Sequence, residues 1–189
     1  MTISNSIRDS DAGIILIFWF EETKPHQWFR RDAAFDESVR ARFGAHHAAA
    51  ATGDLDNWME SADTALARII ILDQFSRNIY RDEPLAFAQD DLALAAARDA
   101  VAKEFDQTVE PRKRAFFLMP FMHAEDANVQ DESVQLFISR GCGEDNAKHA
   151  RQHRDIVKRF GRFPHRNKVM VRTSTPEETQ FLKDGGFNP

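Results

Sequence analysis

From Leu66 to Arg81 (LARIIILDQFSRNIYR), apolar residues recur at helical spacing on two sides of the chain rather than one. Wound at 3.6 residues per turn, Ile71, Leu72, Phe75 and Ile79 share one side; Leu66, Ile69, Ile70 and Tyr80 share the other. A helix that is apolar all round is buried all round, so this stretch is the predicted central helix. Asp73 and Arg77 project from the second apolar face one turn apart, with Gln74 and Asn78 beside them. Charges in such a place need partners or a purpose, and Asp73 and Arg77 are expected to pair.

The rest of the chain reads as helices separated by short turn signals. Ile14 to Phe20 is an apolar run with Trp19 and Phe20 as core anchors, and Lys24-Pro25-His26 breaks it before Trp28-Phe29. Asp32 can cap a helix carrying Phe35, Val39 and Phe43, stopped by Gly53. The central helix starts near Ser61 or Asp63 and ends before Pro84, and Asp90 is a candidate cap for the next helix. Pro111 suits the first turn of a very apolar helix that Pro120 should kink or end early. Asn128 to Gly141 and Asp145 to Gly161 form two more, and Thr175-Pro176-Glu177-Glu178 is a strong start for a last one. Only Val169-Met170-Val171 resembles a strand, and it is too short to need a sheet. The pattern predicts an all-α domain of about eight antiparallel helices spanning residues 1–189, with no visible 34-residue repeat.

Composition narrows the class. A chain of 189 residues with 42% hydrophobic content can bury one substantial core, and sixteen Phe against one Tyr point to rings used for packing. The apolar run at 14–20 is flanked by acids and is far shorter than the ~20 residues a bilayer requires, so no membrane span or export signal is expected. The lone Cys142, between two glycines, fits a reducing cytoplasm and reads as a small turn residue rather than a catalytic thiol.

Charge is uneven: Lys148 to Arg172 holds nine Lys/Arg against one acid, within a chain of net charge −5. The acidic balance argues against a nucleic-acid partner. The basic segment reads either as a face docked on an acidic body or as an anion site built on Arg162, His165 and Arg166. A second polar cluster is His123-Ala124-Glu125-Asp126. If helical geometry persists past Pro120, His123 and Asp126 share a face and Glu125 points elsewhere. His123 with Asp126 and His153 or His165 could bind a metal, but HExxH and paired Cys/His spacings are missing, so no metal or cofactor is expected. His123 with Glu125 or Asp73 could do acid–base chemistry, and the same groups could equally satisfy helix ends.

The segments LDQFSRNIYR (72–81), FFLMPFMHAED (116–126) and FGRFPHRN (160–167) resemble a bacterial domain-of-unknown-function family, number 924. FWF (18–20), WF (28–29), FD (35–36) and TPEETQFL (175–182) extend the resemblance over almost the whole chain. The resemblance implies a tetratricopeptide-like helical bundle, a cytoplasmic protein and no established activity. It marks Asp73, Gln74, Arg77, Asn78, His123, Glu125, Asp126, His153, Arg162, His165 and Arg166 as signature polar positions. Two departures are Ser76, where the family commonly has Pro, and Ala124, where it commonly has Ser. A mechanism needing a hydroxyl between His123 and Glu125 is therefore disfavoured.

Drawn from distant segments, these groups would meet most economically in a cleft beside the central helix. Such a cleft would take a small polar or anionic ligand, or the end of a protein or peptide partner. The alternatives are a hydrolase-type enzyme using His123 with a carboxylate, and a structural or oligomerisation module with a buried polar network. Arg166 is expected to serve binding and to be dispensable for folding.

Overall fold

The computed structural model describes residues 10–187, and among them the chain is all-helical, with eight helices and no strand. Helix α1, Asp11–Ile17, is capped by the Ser10 hydroxyl and runs on through a π turn, Phe18–Glu22. Helix α2, Ala33–Thr52, begins at the Asp32 cap and ends at Gly53, whose φ of 87° a side chain would strain. Helix α3 comprises Ala62–Ile70, a second π turn Ile71–Phe75, and Ser76–Ile79, and Ser61 caps it. Then follow α4 (Asp90–Ala102), α5 (Pro111–His123), α6 (Ala127–Ser139), α7 (Glu144–Phe160) and α8 (Pro176–Lys183).

The doubly apolar pattern of 66–79 explains the arrangement. Helix α3 packs against α1, α2, α4 and α5, and Leu66, Ile69, Ile70, Ile71, Leu72, Phe75 and Ile79 are all buried. Rings from α1 and α2 close round Phe75: Trp19, Phe18 and Phe43 lie 5.0 to 6.1 Å from it, mostly edge-on. Helices α6 and α7 pack on each other and, through α5, on this core; Ile156, Val157 and Phe163 form a satellite cluster with Phe160, Phe181 and Phe187.

Two local readings change. Helix α5 does not stop at Pro120 but continues to His123, although the ring removes the N–H that would bond the Phe116 carbonyl one turn back. Residues 169–171, a run too short to need a sheet, form a turn, with Val171 at φ 54° and 89% exposed. Asp90 opens α4 but its carboxylate faces two arginines rather than the helix N-terminus. The basic segment does dock on acids: Lys158 pairs with Asp131, Arg159 with Glu177, and Arg172 with Glu125. Cys142 is buried in the turn after α6, and burial pushes its thiol up to about 11, which suits packing and not nucleophilic chemistry.

Candidate functional site

Asp73 sits in the π turn of α3 and is 1% exposed. Such turns widen one helical loop by a residue, a distortion that recurs at functional positions. Three donors meet its carboxylate. His123 Nδ1 lies 2.6 Å from Oδ1, Arg77 Nη1 lies 3.2 Å from the same oxygen, and the Gln74 amide bonds Oδ2. Burial alone would raise the Asp73 carboxyl, but the charges of His123 and Arg77 and the bonds from His123 and Gln74 outweigh it, holding the group well below the carboxylate range. His123 reaches this point because α5 carries through Pro120; one turn shorter, the ring would not hang beside the middle of α3.

A second carboxylate, Asp90, bridges two guanidiniums. Arg77 Nη2 lies 3.0 Å from Oδ1, and Arg166 Nη1 lies 3.0 Å from Oδ2. Arg166 also donates to the His123 carbonyl at 3.0 Å, and its guanidinium lies over Phe87 and Phe163, 4.5 and 4.7 Å from the ring centroids. Burial pulls Arg166 down to about 10, which leaves it charged at neutral pH. This side chain thus joins the start of α4 to the end of α5 and is 5% exposed. Asp36 plays the same part for Asn78, at 2.8 Å, and for Arg81, whose Nη2 is also at 2.8 Å.

Two more imidazoles come from the late part of the chain. His153 Nδ1 lies 2.8 Å from the His149 carbonyl one turn back, so the neutral ring donates there and keeps a lone pair on Nε2. Its ring is 6.3 Å from His123 and 4.5 Å from Phe187; His165 lies between Phe163 and Phe187, at 5.6 and 5.4 Å. Burial, reinforced by the neighbouring His123 and Arg166, lowers His153 to about 3; burial and Arg166 lower His165 to about 3. Both are neutral at physiological pH.

These groups surround a cleft of about 260 Å³. Gln74, Arg77 and Asn78 line it from α3, His123 from α5, His153 from α7, and His165 and Arg166 from the turn after α7. Asp73 stands behind the wall. The other expected residues lie elsewhere: Asp126 caps α6, Glu125 holds Arg172 and the Phe163 amide, and Arg162 clamps Glu178 at the start of α8. Trp28, Phe29, Phe87 and Phe187 supply an aromatic rim, joined by Arg31, Arg81 and Asp82. Sequence reasoning passed over most of these. Trp28-Phe29 and Arg81 fall inside the quoted motifs and could have been weighed with them, but Phe87 and Phe187 carry no local signal, and Asp90 reads locally as a helix cap.

Four arginines thus face the cleft against one acid, Asp82, while Asp73, Asp36 and Asp90 grip three of those arginines from behind. A guanidinium has five N–H donors, so a carboxylate clasping one edge fixes its direction and leaves others for a ligand. Among the described residues, no group of three His, Cys, Asp or Glu is placed to hold a metal ion. A second hollow of about 340 Å³ lies against α8, but Arg159 and Glu177 pair with each other across it at 2.8 Å, and mostly exposed side chains line it.

The model of a bacterial family of unknown function, DUF924, matches residues 15–186. A solved structure of a protein of unknown function from Agrobacterium tumefaciens is similar at 44% identity, with a TM-score of 0.87, covering 92% of this chain and 97% of that one. No curated protein matches the sequence. No helix among the described residues is long and apolar enough to cross a membrane.

Proposed function

This chain belongs to the bacterial family of unknown function DUF924, and we propose that it binds a small anionic molecule in the cleft beside α3. The observation that carries the reading is the layered charge: arginines at the surface of the cleft, with their carboxylates behind them. Arg31 and Asp82 form an exposed pair at the rim, which is screened and mobile, whereas the guanidiniums of Arg77, Arg81 and Arg166 are aimed and partly desolvated, which strengthens their pull on a carboxylate or phosphate. The volume sets the scale. About 260 Å³ lies below the usual range for drug-sized ligands, so the ligand is compact, of the size of a dicarboxylic acid. Neutral His153 and His165 add hydrogen-bonding atoms without charge, and Trp28, Phe87 and Phe187 cover a short apolar part.

The reading takes residues 1–189 as one cytoplasmic, tetratricopeptide-like helical domain, and a small molecule as its ligand ahead of a protein or peptide partner. Enclosure by three imidazoles and four guanidiniums supports the small molecule over an extended chain, which needs a longer groove. Isothermal titration calorimetry with succinate and with inorganic phosphate tests it. One of the two should bind saturably at a single site, and Val169→Trp, which places an indole in the cleft from a half-buried turn position, should abolish that binding without unfolding the chain. Binding unaffected by Val169→Trp, or none by either anion, would remove the proposal.

A further inference from the structure

Among the groups round the cleft, one pair is arranged for more than binding. His123 is directed by a carboxylate that is itself almost wholly buried: Nδ1 is 2.6 Å from Asp73 Oδ1, and the ring lines the cleft with its side chain 17% exposed. A neutral imidazole that donates Nδ1–H to a carboxylate carries its lone pair on Nε2, at the far side of the ring. Among the described residues no protein group bonds that Nε2. Asp73 cannot turn away, since Arg77 and Gln74 hold it from two other directions. A base whose tautomer and orientation are fixed by a buried acid, and whose free nitrogen meets a cleft, is the geometry of general-base catalysis.

The residues lining the cleft include no Ser, Thr or Cys, so no side-chain hydroxyl or thiol nucleophile is at hand, and the one lining acid, Asp82, is tied to Arg31 at the exposed rim. Ser76 is buried elsewhere, bonded to His47 at 2.8 Å, and Cys142 lies in the turn after α6. Water is the nucleophile that remains. Arg77 and Arg166 line the cleft, and the N–H donors that Asp73 and Asp90 leave free can bond a developing oxyanion.

We propose that His123 is the general base, and Asp73 its positioning residue, in the hydrolysis of a small carboxylate-bearing ester. The proposal rests on the anion-binding reading above and names the substrate class of that site. His123 Nε2 takes a proton from water as the water oxygen bonds to the ester carbonyl carbon, giving a tetrahedral oxyanion beside the guanidiniums. The intermediate then collapses: the bond from carbon to the leaving oxygen breaks, and the proton on Nε2 passes to that oxygen. One ester and one water become one carboxylic acid and one alcohol, with His123 returned to its neutral form.

The test uses mono-4-nitrophenyl succinate, which carries a carboxylate, and 4-nitrophenyl acetate, which does not, with the whole chain. The expected result is saturable release of nitrophenolate from the succinate ester, with kcat/KM at least about tenfold above the acetate ester. His123→Ala should lower kcat on the order of a hundredfold with KM held, the ordinary worth of a positioned base, and added imidazole should restore turnover. Asp73→Asn should lower kcat at similar KM, which a purely structural loss would not do selectively; circular dichroism checks that each variant is folded. Turnover undiminished in folded His123→Ala, or not restored by imidazole, overturns the proposal. If the succinate ester binds in competition with succinate but is not hydrolysed, the catalytic inference falls and the binding reading stands. If it does not bind, the catalytic inference falls, and the binding reading falls with it when succinate and inorganic phosphate also fail to bind.

Discussion

Replacing Arg77 by Ala tests how the cleft is held together. Arg77 spans two carboxylates, Asp73 at 3.2 Å and Asp90 at 3.0 Å, and also bonds the Asp73 carbonyl. Removing one partner of a buried ion pair costs about 3–5 kcal/mol, because the remaining charge is left in a poorly solvated place. Here each acid keeps something: Asp73 retains His123 and Gln74, and Asp90 retains Arg166. The lower end, about 3 kcal/mol, therefore applies. For a chain of this length that corresponds to a fall in Tm of roughly 6–12 °C. Thermal unfolding followed by circular dichroism reads it directly. The cost should shrink when Asp73→Asn is added to Arg77→Ala, since the unpaired charge is then gone. Acid supplies a second check. The Asp73 carboxyl is held below its ordinary value of 3.8, so its contribution is present above that pH and disappears as pH falls through the folded value, and the gap between wild type and Arg77→Ala should narrow there. A Tm within about 2 °C of wild type, or a double variant worse than the sum of its parts, would refute the claim that the pair is buried and coupled.

Further outcomes follow from the same contacts. His153 and His165 are both lowered to about 3 from an ordinary 6.5, so unfolding takes up protons and stability should fall progressively as pH drops from about 6.5 towards 3, by up to about 1.4 kcal/mol per pH unit for each ring. His153→Phe should flatten urea-denaturation midpoints between about pH 7 and pH 5; a slope equal to wild type would contradict the neutral, buried ring. Arg162→Ala should lower Tm and expose α8 to limited proteolysis while leaving anion binding intact. The carboxylate of Glu178, lowered to about 2 chiefly by its bond with Arg162, holds Arg162 at 2.7 and 2.8 Å, Asn167 at 3.1 Å and the Thr175 amide at 2.7 Å. Loss of anion binding in that variant would move Arg162 into the site.

The fold was legible because apolar spacing on 66–79 demanded a rod buried on every side, and because Asp32, Ser61 and Thr175 each stand where a helix needs a cap. The pairing of Asp73 with Arg77 followed from the same spacing. Two things lay beyond it. The π turn at Ile71–Phe75 is a tertiary accommodation, invisible to any 3.6-residue template, yet it is where Asp73 and Gln74 sit. Asp90 looked like a cap, since an acid at a helix start usually is; only the return of residues 163–166 from the far end of the chain reveals that it joins Arg77 to Arg166. Glu125, Asp126 and Arg162 carry the same residue types as the cleft and lie in the same motifs, so composition could not separate clamps that hold helices from groups that face open space.

The central claim is that His123, His153 and His165 share one cleft whose arginines receive an anion. Nuclear magnetic resonance of the imidazole Cε1–H signals during a succinate titration tests it most directly, because the chain carries other histidines, among them the exposed His26 and His149, that serve as internal controls. The account predicts that the three cleft signals move together, with one saturation midpoint, while those of His26 and His149 stay in place. Independent midpoints, or shifts confined to the exposed rings, would contradict it.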